Sequence, residues 1–307
     1  MIHVSDVARP GLMISQTWPR SRECQGQTRD AIEIALKENF FQAFQTVEIP
    51  YAEERKHIAG ILHAQDSPST YCLARVLNEN RLNLSDLDAV NRQKSYEKVI
   101  QCCDDAREAG ADAVSFVSGP QPVEPQKRQE ALACLKDSLV HICRAARSGP
   151  PFKIVLEPLD VEAHKKGTLG TTEEAVEICE TLHQEGLDLW LCLDTAHMIL
   201  NGEDPVKSLA MAQPYVAEYH YCNCVTDRSH SLFGDRHLPF GPPGIMDAVK
   251  MADIMRESVA MGFFTAAAKP PIFCEVLKRD QDDSFQVMQH CREALQQAWK
   301  YGLGAES

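Results

Sequence analysis

The sequence contains no apolar stretch of about 18 residues or more, which leaves no segment that reads as a membrane-spanning helix. Met1 to Pro10 lacks a basic segment followed by an apolar one, so the start does not read as an export signal, and a cytoplasmic location is expected. An excess of positive charge is missing too. Lys and Arg number 31 against 44 Asp and Glu, a formal net charge of -13, which argues against a surface built to hold nucleic acid, because phosphate binding rests on basic patches. There is no low-complexity tract, no Pro/Gly linker and no repeat beyond a strand-helix unit, so residues 1–307 are expected to form a single domain. The first strand-like run is not followed by a glycine-rich nucleotide turn, which weighs against a doubly wound dinucleotide fold. Cysteine is plentiful, at twelve residues, but has no disulfide-framework spacing. Cys72, Cys134, Cys143, Cys192 and Cys274 sit inside apolar runs and helical stretches and read as reduced core residues.

Hydrophobic residues make up 44% and charged residues 24%, the balance of a globular protein with an ample core. Strand-like runs recur at 11–16, 44–49, 71–77, 111–118, 152–158, 188–194, 216–222 and 271–277, eight in all. Between them lie helical periodicities at 29–39, 95–109, 126–147, 172–185 and 247–261. A shorter insertion at 81–92 places Ser85 as the cap of a helix starting at Asp86. Eight alternating units in a chain of this length predict a (β/α)8 TIM barrel. Residues 223–244, after the seventh strand, form a long connection rich in Gly, Pro, Asp, Arg and His, and loops of that length in compact domains are usually functional.

Four of these apolar runs each end in a carboxylate or a histidine: Ile154-Val155-Leu156-Glu157, Leu191-Cys192-Leu193-Asp194, Val216-Ala217-Glu218-Tyr219-His220 and Ile272-Phe273-Cys274-Glu275. Such runs look like buried parallel strands, where a lone charge is costly unless a counter-charge offsets it. In a closed barrel their C-terminal ends converge on one mouth. Three carboxylates and an imidazole there suit one divalent cation, Mn, Co, Mg or Zn. The alternative for each residue alone is a salt bridge or cap at a strand end. His197, one turn beyond Asp194, points toward the same mouth or is a core histidine satisfied by a backbone carbonyl. Asp235 and His237, two apart in the long loop, contact substrate or brace the loop in preference to binding a second metal. Glu48 and Trp18, after strands two and one, are further substrate-contact candidates, set against a salt bridge and core packing. Lys165, Lys166, Arg228 and Arg236 are loop cations that an anionic substrate group or plain solvation would explain. His63 and the Cys222-Asn223-Cys224 pair read as structural.

The stretches EPLD at 157, LDTAH at 193, EYHYCN at 218, the Asp235-Arg236-His237 run before GPPG, and CEV at 274 resemble the sugar isomerase and epimerase superfamily with the xylose isomerase-like barrel, which includes endonuclease IV more distantly. The resemblance covers most of the chain. It implies that Glu157, Asp194, His220 and Glu275 bind one divalent metal, that Glu157 and Glu275 also act as the acid/base pair, and that His197 contacts the substrate. It also implies isomerisation or epimerisation of a small sugar or polyhydroxy keto compound through a metal-stabilised enediolate. An inosose-dehydratase-like lyase with the same metal is the alternative, followed by an endonuclease IV-like phosphodiesterase and a barrel that binds without turnover. The chain departs from endonuclease IV in having Arg75-Val76-Leu77 and Phe116-Val117-Ser118-Gly119 where that enzyme has further histidines. It departs from the tagatose epimerase branch in having Thr226, with Arg228 two residues later, where an arginine follows the metal histidine. The partner expected is a small molecule, with neither nucleic acid nor membrane; barrels of this superfamily often pair, so self-association stays open.

Overall fold

The structure is a computed structural model and describes residues 3–304. Eight parallel strands close on themselves: β1 (Arg9–Met13), β2 (Ala43–Val47), β3 (Ser69–Cys72), β4 (Ala113–Val117), β5 (Lys153–Glu157), β6 (Trp190–Asp194), β7 (Val216–Val225) and, after the hairpin strand β8 (Gly234–Leu238), β9 (Pro271–Glu275). Sequential neighbours pair in parallel from β1 to β7, and β9 joins β7 to β1 and completes the (β/α)8 barrel. Strand and helix alternate because short Val/Ile/Leu-rich runs, buried on both faces, are separated by amphipathic segments that cover the outer face of the sheet.

Several helices start where a side-chain oxygen accepts the first free amides. Thr171 caps Thr172–Gln184, with Glu174 closing a capping box, and Asp247 caps Ala248–Ala260. The expected cap at Ser85 is not used. The helix begins at Ala89, Asp88 accepts from the Val90 amide, and the Ser85 hydroxyl donates to the Ser118 carbonyl at 2.7 Å. The expected strand at 71–77 also ends early: β3 stops at Cys72, and Ala74–Glu79 is a short helix that buries Val76 and Leu77. Apolar runs this short fit either period, and packing against the core decides between them.

The barrel interior is filled by layers of mostly small side chains, Ala113, Val155, Cys192 and Ala217 in one cluster and Met13, Ala43 and Phe273 in another. Gly11 leaves the space that Phe273 occupies, since a Cβ there would stand 2.3 Å from the ring. The larger core lies between sheet and helices and takes Tyr219 and Tyr221 from the outer side of β7. Leu191 pairs with Val216, but Cys192 pairs with Glu218, so Ala217 is an extra residue in β7. This bulge sets the alternation that turns Glu218, His220 and Cys222 inward, beside Cys192 and Asp194.

The 223–244 connection is more ordered than its composition suggests. β7 runs on to Val225, and β8 pairs with its end in antiparallel fashion. The Asn223 side chain pins the following turn, donating to the carbonyls of Pro239 and Gly241 at 2.7 and 2.8 Å and accepting from the Met246 amide at 2.8 Å. Gly244 packs directly on that side chain, and any Cβ would collide with it. Among the described residues no helix is long and apolar enough to cross a membrane, and no cysteine is in a disulfide.

Candidate metal centre and substrate cavity

The C-terminal ends of β5, β6, β7 and β9 bring Glu157, Asp194, His220 and Glu275 together. One ligand atom from each lies within 4.8 Å of all the others. His220 Nδ1 is 3.4 Å from Glu275 Oε2 and 4.0 Å from Glu157 Oε1. Asp194 uses one oxygen as a helix cap, with Oδ1 accepting from the amides of Ala196 and His197 at 2.7 and 3.2 Å. Its other oxygen, Oδ2, is buried without a hydrogen-bond partner, and so is His220 Nδ1. Buried polar atoms are rarely left unpaired, and two such atoms in one cluster of carboxylates ask for a cation. Ligand distances of about 2.0 to 2.3 Å around one ion fit a set of donors spaced this closely. The donor set, three carboxylates and one imidazole, therefore fits a hard or borderline divalent cation.

Electrostatics agree. Burial, then the neighbouring Glu275 carboxylate, pushes the Glu157 carboxyl above its ordinary range. Burial pushes Asp194 up to about 7, with Glu275, Asp235 and Glu157 adding to the effect and His197 opposing it. Glu275 behaves oppositely: burial would raise it, but His237 and His220 hold it at about 2.

The counter-charges sit on one flank. His237 Nε2 is 3.0 Å from Asp235 Oδ2 and 3.5 Å from Glu275 Oε1, and Lys165 Nζ is 3.0 Å from Asp235 Oδ2. Against the lowering effect of burial, Glu275 and Asp235 hold the His237 imidazole at about 9. His197 Nδ1 lies 3.3 Å from Asp160 Oδ2, which leaves Nε2 facing the mouth, 3.9 Å from both Glu157 and Asp235. Burial would lower the His197 imidazole, but that contact and the surrounding carboxylates raise it to about 10. Asp160 is fully buried, and its Oδ1 also accepts from the backbone amides of His164 and Lys165, so it ties the loop after β5 to His197.

A cavity of about 390 Å³ opens above this cluster. Glu157, Glu275, His197, His237 and Lys165 line its charged side, and Met13, Val47, Val117 and Leu277 line an apolar side. Gln16 reaches in from beyond β1 and donates to Glu275 Oε1 at 2.8 Å. Asp235 stands behind His237 and Lys165, buried to 1% exposure. Three expected contacts lie elsewhere. Glu48 is outside the lining, held by Lys98 at 3.3 Å and Arg22 at 3.8 Å. Trp18 packs against the main core and borders a neighbouring cleft, and Arg228 lies over the Phe233 ring, 5.6 Å from its centroid. The end of β3 presents Cys72 to the cavity, not the Arg75-Val76-Leu77 stretch, because the strand stops earlier than its apolar run suggests; Arg75 borders the cavity from the helix beyond.

The profile of the xylose isomerase-like TIM barrel family matches residues 30–290. The chain belongs to that family. No curated protein matches the sequence. Solved structures of this barrel superpose over nearly its whole length. D-psicose 3-epimerase from Clostridium cellulolyticum, solved with D-tagatose, is 13% identical over 96% of this chain and 98% of its own, with a TM-score of 0.68. The IolI protein with a bound zinc atom is 14% identical over 97% and 100%, with a TM-score of 0.70. The 3-keto-D-glucoside 4-epimerase YcjR from E. coli is 13% identical over 94% and 98%, with a TM-score of 0.67. At these identities the likeness establishes the shared fold.

Two groups in the site carried little or no signal in the sequence. Asp160 follows Glu157 by three residues in the EPLD stretch, but nothing local distinguishes a buried carboxylate from an exposed loop residue. Lys165 reads as a loop cation that an anionic substrate group or plain solvation would explain, and only the fold places its ammonium beside Asp235.

Proposed function

We propose that this protein is a divalent-metal-dependent isomerase or epimerase of a small sugar or polyhydroxy keto compound. One observation carries the reading: four ligand-type side chains from four strands converge at the floor of a sugar-sized cavity, with Asp194 Oδ2 and His220 Nδ1 buried and unpaired. A divalent cation held there supplies the positive charge that polarises a carbonyl and eases loss of a proton from the adjacent carbon. Glu157 and Glu275 stand on the strands that flank those of Asp194 and His220, and both line the cavity, the placement an acid/base pair needs. His197 and Lys165 line the cavity and would donate to substrate oxygens, and its apolar side would receive the carbon face of a sugar. The sugar epimerases among the comparison structures support a substrate of this class.

The test is metal analysis of the purified protein together with incubation of a ketose panel, including D-tagatose, in heavy water. About one equivalent of metal and deuterium at the carbon beside the carbonyl are expected. Three zinc ions with cleavage of phosphodiesters, or a ketose panel without any exchange or conversion, would refute it.

A further inference from the structure

Beneath the four converging side chains lies a second polar layer centred on Glu218. Its side chain is buried to 1% exposure in the barrel interior, two residues before His220 on the same inward-facing side of β7. Thr70 donates its hydroxyl proton from β3 to Glu218 Oε2 at 2.7 Å, and Gln45 donates from β2 to Oε1 at 3.3 Å. The same Oε1 is 3.6 Å from His220 Nε2, while the Gln45 amide nitrogen lies 3.4 Å from that ring atom. Phe273 packs edge-on against the imidazole, 5.4 Å between centroids.

An imidazole can ligate only through a nitrogen without a proton, and the hydrogen bond made by the other nitrogen selects which one that is. His220 Nδ1 faces Glu157 and Glu275 and has no hydrogen-bond partner. Its Nε2 faces a carboxylate whose own position is held from two other strands. We infer that Glu218 is a positioning residue that keeps the His220 proton on Nε2 and so presents Nδ1 to the metal centre. The inference rests on the metal-centre reading above and adds to it a residue that itself touches neither metal nor substrate. The β7 bulge is part of the device, because it places Glu218 and His220 in one inward row under the cavity.

The test uses the full chain labelled with ¹⁵N-histidine and loaded with Zn²⁺, alongside Zn²⁺ titration of the chelator-stripped wild type, E218Q and E218A. Zn²⁺ on Nδ1 with the proton on Nε2 is expected in the wild type, and Zn²⁺ affinity is expected to fall about 10–100-fold in both variants. A purely structural role would lower the melting temperature of the stripped protein and leave the affinity of folded variants unchanged. Ligation through Nε2, or folded variants that keep wild-type affinity, would overturn the inference while leaving the metal centre standing. If neither variant folds, the wild-type spectrum decides alone. A wild type that takes up no Zn²⁺ would overturn the metal centre itself, and the inference with it.

Discussion

The two halves of the barrel rim differ in chemistry. β5 and β9 bring Glu157 and Glu275 to the cavity, with Asp194 and His220 of β6 and β7 buried beside them, while β1, β2, β3 and β4 bring Met13, Val47, Cys72 and Val117 to the same cavity. Carboxylates accumulate only where counter-charges can be placed close by. In the second half the loop after β5 supplies Lys165, the short helix Thr195–Leu200 after β6 supplies His197, and the β7–β8 hairpin supplies His237. Among the described residues, the first half sends amides to the floor, from Gln16 and Gln45, and its cavity-lining charges, Arg75 and Glu79, pair with each other at 2.8 Å. Unlike walls suit a substrate with oxygens on one side and carbon on the other. Other charged residues of the first half also pair with one another away from the cluster, Glu48 with Lys98 and Arg22 outside the cavity.

Five substitutions test this division, beginning with the charged half. Glu157→Gln and Glu275→Gln are each expected to cut turnover of a converted ketose by about 10²–10⁴-fold, the usual contribution of a positioned acid or base, and full activity in either would remove that residue from the pair. Asp194→Ala removes a proposed ligand and a helix cap together. Wild-type protein at a metal concentration of about 100 Kd should gain about 2.7 kcal/mol of stability, and the variant should lose that gain when both are melted with and without Mn²⁺. Asp160→Ala leaves the buried His197 without its carboxylate and frees the loop bearing Lys165. A loss of about 1.5–3 kcal/mol in denaturant unfolding is expected, with KM for the ketose raised and Mn²⁺ uptake intact. In the first half, Val47→Ala should raise KM by about tenfold, the lower end of the scale of a trimmed apolar contact, and should leave metal uptake untouched. Loss of metal from the Val47 variant would show that the two halves are not chemically separate.

Much of this arrangement is legible along the chain. The runs ending in Glu157, Asp194 and Glu275 declare buried strands with a charge at one end, because apolar composition and strand length are local properties. His220 is legible too, although its strand runs on past it to Val225. The stretch from Tyr71 to Leu77 misleads, since seven largely apolar residues fit a strand or a strand followed by a helical turn, and contacts with the core choose. β8 was hidden because Gly234 to Leu238 carries Asp, Arg and His in place of an apolar pattern; it forms by pairing with the end of β7. Glu48 and Trp18 sit at expected strand ends in the sequence, but the directions of their side chains depend on register and neighbours that no local pattern contains.

The order of residues by itself determined the alternation of strand and helix, the barrel that follows from it, and the four polar residues at the strand ends, since each follows from composition over a few neighbouring positions. Tertiary structure alone decided that residues separated by 37, 26 and 55 positions would meet within 4.8 Å, that a bulge would turn Glu218 and His220 inward, and that Asp160 and Lys165 would join them. The physical reason is closure. Which side chains share the mouth depends on hydrogen-bond register between strands far apart in the chain, and that register is set by packing the whole interior at once.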